Sequence, residues 1–343
     1  MKKNPTILIE DYLKQLDLKD YRIKQFNTEF YQNLAQSFDD ITTFSKELRT
    51  KLKAAVNFSS LTAQKVFQSK NSTKVLLETY DNKKIESVLI QENNRNTVCL
   101  STQIGCPVRC SFCATGQMGF TRNLETKEIV DQALFWARKL KSENDSITNI
   151  VYMGMGEPLL NYDETLDSIG IFTNPEKLGI GQRSITLSTV GIIDPLRKLL
   201  SRKNQFRIAL SLHAPNQKLR ETLIPIAKTN PLTDLMNLLK NYTAKFNKRI
   251  SYEYLLLAGI NDQAEHADEL IRLLKGQQRL AFVNLIMFNS SQNLDFERSS
   301  KAQAERFKDV INKAGFNCTI RHSAGTEIHG ACGQLATNEF NLS

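Results

Sequence analysis

Residues 147–157, ITNIVYMGMGE, join an apolar run typical of a buried strand to a glycine-rich turn that ends in a glutamate. Similar apolar runs follow along the chain, and helical periodicity occurs at 125–141, 163–172, 217–223, 232–246, 265–275 and 301–314. Strands that alternate with helices form parallel sheets, in which functional residues gather beyond the carboxyl ends of the strands. The pattern therefore predicts an α/β fold, a partial barrel of the (β/α)6 type with strands at 147–153, 184–189, 206–212, 250–257, 282–288 and 318–322.

The chain upstream of residue 99 follows two other periodicities. Residues 6–55 have apolar side chains at helical spacing. Residues 65–90, KVFQSKNSTKVLLETYDNKKIESVLI, alternate with period two and contain Asn-Ser and Asp-Asn turns, which predicts three antiparallel strands. We therefore expect four parts: a small helical accessory domain at 1–60, an antiparallel β connection at 61–98, the barrel at 99–323 and a C-terminal loop at 324–343.

The chain is basic, with 45 Lys and Arg against 36 Asp and Glu among its 343 residues, a net charge of +9. Residues 1–75 carry 13 basic and 8 acidic side chains, a net +5. This charge suits a nucleic acid partner, although an ordinary basic protein surface would have it too. LAFVNLIMF at 280–288 is too short for a membrane helix, and the N-terminus lacks the apolar core of a signal peptide. We therefore expect a cytoplasmic protein with no membrane partner.

Three of the six cysteines, Cys106, Cys110 and Cys113, lie within eight residues at the spacing C-x3-C-x2-C. Three thiolates from one loop can bind three irons of a cubane [4Fe–4S] cluster and leave the fourth iron open to a small chelating molecule. Zinc is the alternative, but a structural zinc site needs four ligands, and only Cys99 lies nearby. The spacing therefore favours the cluster. Cys318 lies in a predicted strand and matches no motif, so we expect it in the core.

Several motifs occur in a fixed order around this loop and resemble one known family. Over nearly the whole chain they are similar to the RlmN/Cfr family of radical S-adenosylmethionine RNA adenosine methyltransferases. The resemblance implies a radical S-adenosylmethionine barrel, one [4Fe–4S] cluster held by the three clustered cysteines, and two molecules of S-adenosylmethionine per turnover. The motifs are CLSTQIGCPVRCSFCATGQMGFTRNL (99–124), VYMGMGEPLLNYD (151–163), ITLSTVGI (185–192), ALSLHAPN (209–216) and ACGQL (331–335).

The same resemblance implies where S-adenosylmethionine binds. One contact matches the glycine–glutamate turn that follows the first barrel strand, and the others match the ends of later strands. The implied cofactor-binding residues are Gly156, Glu157, Ser188, Ser211, Leu212, His213 and Asn289.

Three further matches imply the catalytic residues. Cys332 corresponds to the cysteine that accepts a methyl group, loses a hydrogen from it to a 5′-deoxyadenosyl radical, and adds the resulting methylene to adenine as a protein–RNA adduct. Cys99 corresponds to the cysteine that resolves this adduct by forming a disulfide with Cys332. Glu86 corresponds to the proposed proton acceptor.

The resemblance also implies the partners. The expected substrate is an adenosine of 23S ribosomal RNA in the peptidyl-transferase region, methylated at carbon 2, with the tRNA anticodon loop as a further substrate. An electron donor such as flavodoxin or ferredoxin is required, and the protein is expected to be a monomer.

Two alternatives stay open at this stage. The same chemistry could act on carbon 8, as in Cfr-like antibiotic resistance, although PLLN at 158–161 looks more like the carbon 2 type. A rival of another class is a non-catalytic iron–sulfur protein that binds RNA, which would need neither Cys99 nor Cys332.

Two stretches depart from the family pattern. Glu327 and His329 stand where the family commonly has two acidic residues, and SSQNLDFERSS at 290–300 replaces a proline-rich stretch. Both are expected to face the substrate.

Overall fold

The computed structural model describes residues 5–16, 18–290, 294–321 and 323–336. Three short helices form the N-terminal unit, together with a π-helical turn at Thr28–Gln32 and a 3-10 turn at Phe38–Asp40. Aromatic rings hold the unit together, because Phe30 stacks on Phe26 at 4.9 Å and meets Phe58 edge-on at 5.1 Å. The helices are α1 (Ile9–Gln15), α2 (Asp20–Asn27) and α3 (Lys46–Ala55).

An antiparallel meander follows, as the period-two alternation predicts. It has four strands rather than the three that we predicted, because Asn93 and Asn94 adopt φ values of 52° and 58° and turn the chain back after Glu92. Asparagine tolerates this left-handed conformation better than most residues. The strands are β1 (Leu61–Gln68), β2 (Ser72–Thr79), β3 (Lys84–Glu92) and β4 (Arg95–Cys99).

A small two-stranded ribbon precedes the barrel helices. It consists of β5 (Gln103–Gly105) and β6 (Phe120–Asn123), with the short helix α4 (Ala114–Gln117) between them. The sequence did not predict this ribbon, because strands of three and four residues are too short to display a period.

The rest of the chain alternates between helices and strands as predicted, with one further helix, α7, that the periodicity did not indicate. The elements are α5 (Thr126–Ser142), β7 (Asn149–Tyr152), α6 (Tyr162–Thr173), β8 (Ile185–Thr189), α7 (Ile193–Leu200), β9 (Arg207–Ser211), α8 (Gln217–Leu223), α9 (Leu232–Phe246), β10 (Ile250–Leu256), α10 (Ala264–Leu274), β11 (Ala281–Met287), α11 (Lys301–Lys313) and β12 (Asn317–Arg321).

Meander and barrel share one ten-stranded sheet in the order β1-β2-β3-β4-β7-β8-β9-β10-β11-β12. The first three pairings are antiparallel, and β4 pairs in parallel with β7, so the seven strands from β4 to β12 run in one direction. Within the described residues β12 does not pair with β4, so the barrel stays open. The predicted partial α/β barrel is therefore confirmed.

The apolar faces of the helices pack on this sheet. Trp136 on α5 is fully buried, and its Nε1 donates to Ser87 Oγ on β3 over 2.9 Å. Cys318 on β12 is buried, as expected. In the described part of the chain, every helix is too short or too polar to span a bilayer.

Candidate active site

The three-cysteine loop connects β5 to α4, beside the carboxyl ends of the parallel strands. Its backbone is fixed from within and from outside: Cys113 N donates to Cys110 O over 3.2 Å, and Cys106 N donates to Gly119 O over 2.8 Å. Cys106 and Cys110 are buried and Cys113 is half-buried. One short segment thus presents three thiols toward the interior.

The surroundings of these thiols suit a cluster better than a single metal ion. Burial raises the pKa of all three thiols, to about 12 for Cys106, so a metal has to displace their protons. Among the described residues, no three His, Cys, Asp or Glu side chains converge closely enough to hold one ion. A cubane relaxes this demand, because each thiolate binds a different iron. The buried Arg220 lies near Cys110 and has an unpartnered Nη1, which adds a positive charge beside the thiolates.

A cavity of about 150 Å³ lies between the cysteine loop and the strand ends, and we call it the inner cavity. Most of the predicted site residues line it, and they come from five different parts of the chain. They are Cys106, Cys110, Cys113, Gly156, Glu157, Ser188, Ser211, His213 and Cys332.

Two other predicted cofactor residues do not line the inner cavity. Leu212 is fully buried. Asn289 is buried as well, and its Nδ2 donates to Cys332 O over 3.3 Å while its Oδ1 has no hydrogen-bond partner. This unsatisfied acceptor leaves Asn289 able to bind a donor from a ligand.

The turn after β7 aims Glu157 into the inner cavity. Gly156 has φ 104°, and a Cβ there would lie 2.6 Å from Gln103 Cβ, so only glycine fits. Glu157 Oε1 accepts from Leu159 N over 3.0 Å, and Oε2 accepts from Val190 N over 2.8 Å. A carboxylate oxygen can accept a second hydrogen bond, so both oxygens can still bind an ammonium group.

The charge of Glu157 depends on its partners. Burial raises the pKa of the Glu157 carboxyl, while bonds to Thr189 and Val190 and the charge of Arg220 oppose the shift. A cationic ligand group would favour the ionised form further. The site therefore suits the amine of an amino acid such as the methionine part of S-adenosylmethionine.

His213 closes one wall of the inner cavity as a neutral imidazole. Its Nδ1 accepts from Leu255 N over 3.0 Å, which leaves the proton on Nε2. Burial lowers the pKa of His213 to about 3, and its ring meets Phe112 edge-on at 4.9 Å. His213 can thus donate one hydrogen bond without carrying a charge.

A second cavity of about 370 Å³, the outer cavity, lies on the other side of Cys332. Cys99 lines it, and burial raises the pKa of the Cys99 thiol to about 12. The two cavities share four wall residues from four different parts of the chain. These are Met153, Ile286, Arg321 and Cys332.

Residues 329–336, which we call the Cys332 loop, pack on the helix that follows the cysteine motif. Ala114 N donates to Gly333 O over 2.8 Å, and Thr115 Oγ1 donates to Leu335 O over 2.6 Å. These bonds join the methyl-acceptor candidate Cys332 directly to the segment that carries the three clustered thiols.

Glu86, like Leu212 and Asn289, lines neither cavity. Its side chain is buried on β3, where Oε1 pairs with Lys74 Nζ at 2.8 Å and Oε2 accepts from Ala336 N over 2.9 Å. Burial raises the pKa of Glu86 to about 7, and the Lys74 ammonium opposes that shift. Glu86 therefore contacts the Cys332 loop rather than a space that could hold a base.

The two departures from the family pattern lie close to the same loop. His329 is its first residue, and Glu327 lies in the 3-10 turn Thr326–Ile328 just before it. The other departing stretch, 290–300, lies partly outside the described residues, which omit 291–293.

Two charged residues of the site were missed by the sequence reasoning. Glu253 on β10 lines the inner cavity and its buried Oε2 has no hydrogen-bond partner, while its Oε1 accepts from Asn284 Nδ2 over 2.9 Å. Arg321 on β12 lines both cavities, and the nearby Cys332 raises its pKa. A lone charge inside an apolar strand was the available signal, because a charged residue is buried there only with a partner or a ligand.

Known proteins resemble this chain over almost its entire length. Residues 100–274 match the family model of the radical SAM superfamily, and residues 6–57 match that of the ribosomal RNA large subunit methyltransferase N-terminal domain. The chain is 42% identical over 315 residues to a probable dual-specificity RNA methyltransferase RlmN of Dictyoglomus turgidum, with 92% of this chain and 90% of that protein covered. It is 40% identical over 328 residues to the ribosomal RNA large subunit methyltransferase N of Nitrosopumilus maritimus, with 93% of each covered.

A solved structure agrees with the sequence relatives. The radical SAM methyltransferase from Sphaerobacter thermophilus superposes with a TM-score of 0.93 at 37% identity, covering 97% of this chain and 98% of that one. Radical SAM enzymes use a [4Fe–4S] cluster and S-adenosylmethionine, and the inner cavity has the thiols and the polar strand ends that these groups require. The chain belongs to the RlmN family and is a radical S-adenosylmethionine RNA methyltransferase.

Proposed function

We propose that the protein methylates carbon 2 of an adenosine in the peptidyl-transferase region of large-subunit ribosomal RNA, with Cys332 as a covalent relay. The observation that carries this proposal is the position of Cys332 in the wall between the two cavities. A relay residue has to reach the methyl donor on one side and the acceptor base on the other, and Cys332 lines both cavities.

The inner cavity binds the cofactors in this proposal. Cys106, Cys110 and Cys113 hold the cluster, and Glu157 binds the amine of S-adenosylmethionine. Gly156 has no side chain, so the cofactor can approach its backbone closely. When bound, these groups supply an electron, a methyl group and a hydrogen-abstracting radical. The remaining contacts come from Ser188, Ser211, Leu212, His213 and Asn289.

The outer cavity receives the adenine. A base inside a helix or stack cannot reach a thiol in a cavity wall, so the adenosine has to be unstacked and inserted. Its lining includes the exposed Asn93 and Arg95 and the half-buried Arg321. Two arginines and a polar amide suit the edges and phosphates of a nucleotide.

Cys99 then releases the product. After the methylene on Cys332 has added to the ring, the Cys99 thiolate attacks Cys332 Sγ, a sulfur–sulfur bond forms, and the carbon–sulfur bond breaks. The carbon keeps the bonding electron pair and takes up a proton. The ring loses a proton to a base and also loses the unpaired electron that the radical addition left on it, which the cluster held by the three clustered cysteines would accept. All six cysteines are free in the structure, which is the state that this cycle needs at its start.

Family resemblance assigns the proton acceptance at the ring to Glu86. In the present arrangement its carboxylate bonds to Lys74 and to the backbone of Ala336. The Cys332 loop would have to move before Glu86 met the base.

The names of the relatives support the choice of RNA. One is named for large-subunit ribosomal RNA, and another is a probable dual-specificity RNA methyltransferase, which supports the tRNA anticodon loop as a further substrate. A flavodoxin or ferredoxin supplies electrons, and the enzyme acts as a cytoplasmic monomer in this proposal.

Mass spectrometry of nucleosides from ribosomal RNA and tRNA tests the proposal. Purified enzyme with a reducing system should convert adenosine to 2-methyladenosine in unmodified ribosomal RNA. Formation of 8-methyladenosine instead would assign the Cfr-like reaction. Binding of RNA without consumption of S-adenosylmethionine would indicate the non-catalytic alternative.

A further inference from the structure

A buried ion pair lies beneath the Cys332 loop. Lys74 on β2 and Glu86 on β3 share one face of the meander, because Leu76 pairs with Glu86 in the ladder and Lys74 lies two residues before Leu76. Lys74 Nζ is 2.8 Å from Glu86 Oε1, and each side chain is only 2% exposed. Two buried charges persist only where additional hydrogen bonds satisfy both groups, so their other partners are informative.

Both of those partners belong to the Cys332 loop. Lys74 Nζ donates to His329 O over 3.3 Å, and Ala336 N donates to Glu86 Oε2 over 2.9 Å. His329 is the first residue of the loop and Ala336 is the last. Each charge therefore holds one end of the segment whose middle carries Cys332.

The segment just before the Cys332 loop also lies close to β2, the strand that carries Lys74. Gly325 has φ 75°, and a Cβ there would lie 2.6 Å from Ser72 Oγ on β2. Gly330 N donates to Gly325 O over 2.8 Å, which connects this contact to the loop. Residues 325–336 thus contact β2 and β3 at several points. Lys74 and Glu86 make the contacts that involve a charged group.

We propose that Lys74 and Glu86 form a clamp that positions Cys332 between the two cavities by holding both ends of the Cys332 loop. Neither side chain lines a cavity, so both are positioning residues that act through the loop. This inference rests on the proposed relay role of Cys332. It gives Glu86 a task in the resting enzyme, separate from the proton acceptance that family resemblance implies.

Transfer of the methyl group to Cys332 is a step that depends on the positioning role of Glu86 and not on proton acceptance. A bond forms between Cys332 Sγ and the methyl carbon, the sulfonium–methyl bond of S-adenosylmethionine breaks, and the thiol proton leaves to water. No electron is transferred and no RNA takes part, so a base acting on adenine cannot influence this step. The rate of loading does depend on where the Cys332 sulfur lies.

The experiment compares wild type with Lys74→Met, Lys74→Arg and Glu86→Ala. Hydrogen exchange of residues 329–336 is followed in protein without cofactors. Protein made in iron-limited cells is then reconstituted with iron and sulfide, and transfer of a labelled methyl group to the Cys332 peptide is timed. Lys127→Met is the matched control, because Lys127 forms an equally buried pair with Asp131, 3.2 Å apart at 3% and 1% exposure, within helix α5.

Lys74→Met should lose exchange protection at the Ala336 amide and load methyl roughly 10²-fold more slowly, as expected for a displacement of about an ångström. Lys74→Arg retains a charged donor and should restore both properties. Lys127→Met should match wild type in both, even if it is less stable overall.

Unchanged protection and loading in Lys74→Met would overturn the clamp. Normal loading in Glu86→Ala, with a protein–RNA adduct that then accumulates, would restrict Glu86 to proton acceptance and remove it from the clamp. If wild type itself never receives a methyl group on Cys332, the relay fails, and the clamp is then decided by the exchange data alone.

Discussion

Cysteines of one site differ in chemistry because their neighbours differ. Cys106, Cys110 and Cys113 share one short loop and line the inner cavity, whereas Cys332 lies on a separate loop and lines both cavities. Cys318 is buried in β12 and lines neither cavity. Position rather than burial therefore separates the cysteines proposed to bind the cluster, the cysteine proposed as the relay and the core cysteine.

The three clustered thiols should all be needed for iron. Replacing one leaves two protein ligands for a cluster that binds through three, so Cys110→Ala purified without oxygen should lose its brown absorbance and most of its iron. Cys318→Ala is the control and should retain both. A full iron content in Cys110→Ala, measured by metal analysis, would refute the ligand assignment.

Glu157 should matter for the cofactor and not for the cluster. Glu157→Gln keeps the shape and one of the two acceptor oxygens but removes the charge that is proposed to bind the methionine amine. A hydrogen bond to a charged group contributes about 1.5–3 kcal/mol, so affinity for S-adenosylmethionine should fall roughly 10- to 100-fold with iron content unchanged. Calorimetry on the reconstituted protein measures this. An affinity equal to that of the exposed control Glu176→Gln would show that Glu157 does not bind the amine.

At the scale of elements, α5 supports the strand that carries Cys99. Trp136 Nε1 donates to Ser87 Oγ, and that hydroxyl donates to Cys99 O over 2.8 Å. Trp136→Phe loses one buried hydrogen bond and part of the ring volume and should lower the free energy of unfolding by about 1–2 kcal/mol, whereas Trp136→Ala leaves a much larger cavity and should lower it by about 3–5 kcal/mol. Urea unfolding, monitored by circular dichroism, tests whether Trp136→Ala is the more destabilised of the two variants. Equal losses in the two variants would mean that ring packing contributes nothing.

Elements with long periodic patterns could be predicted from the sequence, and elements defined by a turn could not. The predicted helices at 217–223 and 232–246 coincide with α8 and α9, because their apolar side chains recur at helical spacing. The fourth meander strand depends on two left-handed asparagines, and the ribbon β5–β6 depends on pairing between short segments. Local periodicity contains no information about such pairings.

The site shows the same division. Residues inside family motifs, such as Glu157 and His213, were predicted and do line the inner cavity. Glu253 and Arg321 were missed, because a charge in a strand pattern acquires meaning only when the sheet brings it beside Cys332 or an unfilled cavity. Lys74 is the clearest case, since its partner His329 lies 255 residues away along the chain.

At the scale of the whole molecule, the basic N-terminal unit is expected to bind the RNA backbone. Its aromatic core packs against Arg138 of α5, 5.5 Å from the Phe30 ring, so removing the unit would expose the barrel. Charge substitutions are therefore the better test. Changing the exposed Lys24, Lys46 and Lys51 to Gln should reduce the slope of log affinity against log salt by about 2, since each lost phosphate contact contributes about 0.7 to 0.9.

The matched control changes three exposed lysines on the opposite end of the chain, Lys275, Lys301 and Lys313. This variant should keep the wild-type slope for a ribosomal RNA fragment. A reduced slope in the control, with an unchanged slope in the N-terminal variant, would place the RNA surface on the barrel instead.

The relay through Cys332 is the central claim, and the Cys99→Ala variant tests it most directly. Without Cys99 the carbon–sulfur bond cannot be broken by a second thiol, so Cys99→Ala incubated with S-adenosylmethionine, reductant and RNA should accumulate a covalent protein–RNA species. The species appears on a denaturing gel as a shifted band that returns to its original position after ribonuclease treatment. Cys332→Ala should give neither the band nor methylated RNA. Normal turnover by Cys99→Ala, or methylation of RNA by Cys332→Ala, would contradict the relay.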